Sequence, residues 1–153
     1  MTQSASSGAA LLDANLLIAL AWPQHIHHAA AHAWFGSAGK HPWATCALTQ
    51  LAFLRISSNP KIISGAVSPR NATLHLQRIV SLPNHVFWNC DLAPSALPLF
   101  QSVTLSGHRQ VTDAYLLALA QHHGGRLATL DKGIAQLLSS ALERDQLIDQ
   151  VTN

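Results

Sequence analysis

The sequence predicts an α/β fold, a three-layer α/β/α sandwich whose central sheet is mainly parallel. Three observations carry this. Short apolar runs alternate with helix-length patterns along the chain, which implies a parallel sheet covered on both faces. The clearest unit comes late, as a helix, then Gly124-Gly125, then the apolar run Arg126 to Leu130. Finally, 153 residues that are 48% hydrophobic suffice to bury a core.

The elements follow in order. Residues 1–8 are polar and read as a flexible lead-in, leaving 9–153 as a single domain. Ala9 to Leu12 is a continuous apolar run of the kind found in buried parallel strands, and it ends at Asp13. A helix pattern from Ala14 to about Ala21 is interrupted at Trp22-Pro23. A second helix is predicted from His25 to Phe35, with a turn over Gly36 to Pro42. Trp43 to Cys46 fits a strand, and Leu48 to Ile56 a helix stopped by Asn59-Pro60. Pro69 to Ile79 reads as a helix and Val86 to Trp88 as a strand. Pro94 and Pro98 limit Leu92 to Leu105 to one helix or two short ones. Thr112 is placed to cap a helix running to His123, Gly124-Gly125 stops it, and the next strand ends at Asp131. Lys132 to Arg144 is predicted as a further helix.

Composition narrows the function. Charged residues are only 10% of the chain, against about a quarter in an average globular protein. So uncharged a surface suggests burial of an apolar patch by association, and a homodimer is expected. A formal charge of +2 is compatible with a nucleic-acid substrate without specifying one. Cys46 and Cys90 make neither a disulfide framework nor a cysteine zinc site, and both are expected to be buried thiols. Met1 to Gly8 lacks the pattern of a signal peptide, and no apolar stretch is long enough to span a membrane. The expected compartment is the cytoplasm.

Only seven residues are acidic, and three of them fall at one predicted edge. Functional crevices in open parallel sheets lie beyond the carboxyl ends of the strands. Asp13 and Asp131 each follow a strand directly. A helix of about twelve residues rises ~18 Å and a six-residue strand covers ~20 Å. Running antiparallel, they return Asp113 at the helix start to the side of Asp131. Like charges ~4 Å apart repel by ~4 kcal/mol at an effective dielectric near 20. Protons or a cation must offset that, and an all-oxygen donor set suits Mg²⁺ or Mn²⁺. Water held by such an ion becomes a usable nucleophile against phosphate esters. Asp is also a common cap or turn residue, so any one of the three alone would carry little weight.

At these residues the sequence resembles the PIN-domain ribonucleases, and within them the VapC-type toxins of bacterial toxin–antitoxin pairs. The matching pieces are LLDANLLIAL (11–20), TQLAFLRISSNP (49–60), GHRQVTDAYLLALA (107–120) and HGGRLATLDKGI (123–134). The resemblance implies Mg²⁺- or Mn²⁺-dependent cleavage of RNA and a cognate VapB-like antitoxin. Asp13, Asp113 and Asp131 match three of the family's acidic positions and are the expected metal ligands. The family's remaining acid, usually Glu, falls on Gln50, which would orient a metal-bound water at the cost of one negative charge. Asn15 is expected to brace the loop after the first strand, with Thr112 supporting the helix start.

Other signals are weaker. His108 and Arg109 precede the Asp113 helix and are candidate RNA-phosphate contacts, while Arg55, Lys61, Arg70 and Arg78 extend a basic surface or simply solubilise it. His25, His28 and His32 share a helix face without an accompanying carboxylate or cysteine, which favours a polar surface over a metal site. His122-His123 suits a helix C-terminus. Trp22, Trp34, Phe35, Trp43, Phe53 and Trp88 are expected mostly in the core, with Trp34 and Phe35 alternatively available to an antitoxin peptide. Two competing functions are a catalytically weak module binding RNA or antitoxin, marked by Gln50, and a phosphotransferase using Asp13 as nucleophile. The second lacks the supporting residues its chemistry needs near Leu16-Leu17.

Overall fold

The computed structural model describes residues 8–102 and 104–152. The lead-in expected over 1–8 therefore lies outside the described residues except for Gly8. Five short strands form one sheet: β1 (Ala10–Leu12), β2 (Trp43–Cys46), β3 (His85–Trp88), β4 (Arg126–Thr129) and β5 (Ile148–Gln150). Every pairing is parallel, and the spatial order is β3-β2-β1-β4-β5. The chain thus winds outward from β1 to β3, crosses back to β4 on the other side of β1, and ends at β5. The switch point falls between β1 and β4, where the crevice of a doubly wound sheet is expected.

Side-chain alternation along the strands separates two cores. Ala10, Leu12, Trp43 and Ala128 pack under α1 (Ala14–Ala21), α2 (His28–Ala38), α3 (Ala47–Ser57) and α4 (Pro69–Val80). Leu11, Ala44, Cys46, Trp88 and Leu127 face α5 (Val111–His122), together with Ile134, Leu137 and Leu138. Leu147, at the end of α6 (Ala141–Leu147), packs on the same side. The result is the three-layer α/β/α sandwich expected from the sequence.

Gly124 and Gly125 do more than end α5. Gly124 adopts φ +70°, which L side chains rarely accept. A Cβ on Gly125 would collide with the Ala9 carbonyl and the Trp88 ring. The turn between α5 and β4 therefore passes so close to β1 that only glycine fits, which sets β4 in register beside β1.

Several expectations are corrected. The second helix starts at His28 and continues through Gly36 to Ala38. His25 lies in the turn before it. His28 Nδ1 and His32 Nε2 donate to the carbonyls of Ala19 and Leu20 at 2.7 and 2.9 Å. They satisfy the end of α1, which explains the shared histidine face without a metal. Among the described residues of Leu92 to Leu105 there is no α-helix, only 3₁₀ turns over Pro94–Ala96 and Pro98–Gln101, because each proline restarts the chain. Lys132 to Arg144 is a 3₁₀ turn, Lys132–Leu137, followed by α6, and β5 was not foreseen. Thr112 is not the cap of α5. A 3₁₀ turn over His108–Gln110 feeds directly into the helix, so Thr112 sits exposed in its first turn. Cys46 is buried as expected but Cys90 is exposed. Trp43, Phe53 and Trp88 are buried core residues. Trp22, Trp34 and Phe35 are half-buried, and the Trp34 indole donates to Asp149 at 2.9 Å. Trp34 thus ties α2 to β5.

Candidate metal centre

Asp13 is fixed by the end of β1. Its backbone N–H donates to the Ala128 carbonyl at 2.9 Å, so it remains tied to β4 one residue past the strand. Alternation turns Asp13 to the same face as Leu11, under α5. The carboxylate is buried. Its Oδ1 accepts from the Ala14 N–H at 2.8 Å, and its Oδ2 accepts from the Thr129 hydroxyl at 2.7 Å.

Thr129 is the residue that sequence reasoning missed. It is fully buried at the end of β4, and its Oγ1 also accepts the Asp131 N–H at 3.0 Å. One hydroxyl therefore fixes the Asp13 carboxylate and the backbone that presents Asp131. Asp131 Oδ1 accepts from the Gly133 N–H at 2.8 Å, which turns the chain into the following 3₁₀ segment. The available signal was a polar β-branched residue at an inward position of an otherwise apolar strand.

Asp113 lies in the first turn of α5 and is half-buried. Burial, the Asp13 charge and the Asp131 charge together push its carboxyl up to about 7. Asp13 is also raised, chiefly by burial and slightly by Asp131, against the lowering effect of its bonds to Thr129 and Ala14. Asp13 and Asp131 thus both act on Asp113, and Asp131 acts on Asp13. Among the described residues the ion pairs join Asp91 to His122 and His123, so no lysine or arginine neutralises this group.

The donor set fits a hard divalent cation. It consists of carboxylate oxygens with Thr129 as internal support, and it contains neither sulfur nor imidazole. The three ligand groups do not all lie within 4.8 Å of one another; the described set that does is Asp91, His122 and His123. An ion held among them would therefore be reached in part through its own waters, as Mg²⁺ often is.

Gln50 stands in the first turns of α3, half-buried. Its Nε2 donates to Thr45 Oγ1 at 2.9 Å, and that hydroxyl contacts His85 Nε2 at 2.7 Å. Thr45 is therefore its bonded partner, rather than any of the three aspartates. Asn15 is exposed and lines an open cleft of about 640 Å³ shared with Trp22, Gln24, His25, Leu130 and Asp131. His108 and Arg109 are exposed just ahead of α5.

These features define a doubly wound parallel α/β domain with Asp13 and Asp131 just past the carboxyl ends of β1 and β4, at its switch point. Residues 10–137 match the profile of the PIN domain, and the chain belongs to that family. It is 42% identical over 133 residues to Ribonuclease VapC39 of Mycobacterium tuberculosis strain ATCC 25618 / H37Rv, covering 87% of this chain and 96% of the relative. Ribonuclease VapC38 of the same strain is 43% identical over 130 residues, 84% of this chain and 89% of the relative. Ribonuclease VapC44 of that strain is 40% identical over 126 residues, 82% and 88% of the two chains.

Proposed function

We propose that residues 9–153 form one PIN-like unit that acts as a Mg²⁺- or Mn²⁺-dependent endoribonuclease, the toxin of a VapBC-type pair in the cytoplasm. What supports it most is the placement of Asp13 and Asp131 just past the ends of the paired strands β1 and β4, joined through the Thr129 hydroxyl, with Asp113 raised by burial and by both of their charges and no ion pair to lysine or arginine among the described residues. Likeness to relatives named as ribonucleases supplies the substrate class.

When bound, the ion would offset charge developing on the phosphodiester and lower the pKa of water for in-line attack. Asp13 would be the rigid anchor, because Thr129 and the Ala14 N–H fix both its oxygens. Asp113, half-buried at the helix start, would take up or release a proton as the site fills and empties. Gln50 keeps its Nε2 on Thr45, which leaves Oε1 free to accept from a water near the site. The cleft beside Asn15 and Asp131 offers an indole, imidazole and amide to unpaired bases. His108 and Arg109, exposed just ahead of α5, would grip phosphates.

Exposed Leu48, Leu51 and Val111 support a homodimer, because Leu48 and Val111 border one apolar hollow and Leu51 lies one turn further along α3. No helix among the described residues is long and apolar enough to cross a membrane.

Gel analysis of RNA cleavage with and without Mn²⁺ tests the reading. The wild type should cut only with the ion, and Asp13→Asn should abolish cutting while keeping its circular dichroism spectrum. Full activity in that variant would refute the assignment. A wild type that binds RNA or antitoxin without cutting would instead favour the binding-module reading, in which Gln50 marks a weakened site.

A further inference from the structure

α5 ends on two consecutive histidines, and the segment after β3 brings Asp91 against both. Asp91 Oδ1 lies 3.4 Å from His122 Nε2 and 3.7 Å from His123 Nε2. All three ligand atoms fall within 4.8 Å of one another. Adjacent residues in an α-helix point about 100° apart. These two converge because His123 is the C-cap, with φ −86° and ψ 4°, where the helix relaxes. The His123 ring is held in place by stacking on buried Trp88, centroids 4.6 Å apart at 12°. The His122 ring meets it edge-on at 5.2 Å.

A tetrahedral ion with ligands at ~2.0–2.1 Å separates those ligands by roughly 3.3 Å. The two histidine–aspartate distances are already close to that edge length. Two imidazoles and one carboxylate select a borderline transition metal over Mg²⁺. A fourth donor is also at hand, since the Asn89 carbonyl lies 3.2 Å from His123 Nε2.

We propose that Asp91, His122 and His123 form a second metal site, specific for Zn²⁺ or a comparable borderline ion and independent of the aspartates. Both rings bind through Nε2 and carry their protons on Nδ1. His123 then gives up its donation to the Asn89 carbonyl, and water or that carbonyl completes the tetrahedron. The ion ties the 89–91 segment to the end of α5. This places it about 14 Å along the helix from Asp113, given 1.5 Å per residue. The proposal does not rest on the nuclease reading. A simpler role, in which the histidines only balance the helix dipole and pair with Asp91, involves no metal.

Calorimetric titration of the full-length, metal-stripped protein with Zn²⁺ distinguishes them. Asp91→Ala and His122→Ala alter exposed side chains and leave the Trp88–His123 stack in place. The wild type should take up one more equivalent of Zn²⁺ than either variant, and Zn²⁺ should raise its Tm by more than theirs. Asp113→Asn should keep both the extra equivalent and the Tm rise. Equal uptake by the wild type and both variants would overturn the proposal, as would loss of that equivalent in Asp113→Asn.

Discussion

The two ends of α5 carry donor sets of opposite character. At its start, half-buried Asp113 is raised by burial and by the charges of Asp13 and Asp131, Asp13 is raised as well, and no ion pair to lysine or arginine joins the three among the described residues. At its end, His122 and His123 meet Asp91 in a partly exposed cluster of mixed donors. The first set carries the cost of burial and of its own repulsion until a cation or a proton arrives, whereas the second is a polar surface contact with no such crowding. Like-charge crowding points to function more strongly than proximity does, because it has a cost that a structural role does not explain.

The largest effect should come from Asp113→Asn. It removes one of three charges at the first end, so Mn²⁺ affinity and RNA cleavage should both fall by about a hundredfold or more. Calorimetry and a cleavage assay check this, and near-normal values would dissolve the contrast between the two ends. Thr129→Val comes next. It keeps the shape of the residue but removes the donor to Asp13 and the acceptor for the Asp131 N–H. Mn²⁺ binding should weaken by about 10–100-fold, as for other losses of ligand support.

The pH response has a defined sign. A folded-state carboxyl at about 7, against an unfolded value near 4, means that the folded chain binds the extra proton between those values. The metal-free protein should therefore lose stability as pH rises from about 4 to about 7, then level off. Mn²⁺ affinity should rise over the upper part of that window, as less work is spent expelling the proton, and level off above it. Denaturant melts and calorimetry across pH would show both trends. The smallest effect should be that of Gln50→Glu, which supplies the charge that the family's usual Glu carries and should tighten Mn²⁺ by about a few-fold if the proposed site is shared by residue 50. Unchanged or weaker binding would place Gln50 outside the ion's reach, consistent with its bond to Thr45.

The sequence revealed the carboxylate end because its signals are local. Asp13 and Asp131 each follow an apolar run, and the α5 pattern fixes where Asp113 must return. The histidine end depends on a contact with Asp91, 31 positions before His122, through a segment whose prolines hid its path. Thr129 was legible only as a polar interruption of a buried strand. β5 was missed because three half-buried residues carry too little apolar signal. The supposed Thr112 cap failed because a preceding 3₁₀ turn had already satisfied the helix entry.

Anomalous diffraction from crystals soaked in Mn²⁺ tests the shared-cation account most directly. A peak among the carboxylates of Asp13, Asp113 and Asp131, reached directly or through bound waters, is the predicted result. A saturated crystal with density only beside Asp91 and the two histidines, or none at the strand ends, would contradict it.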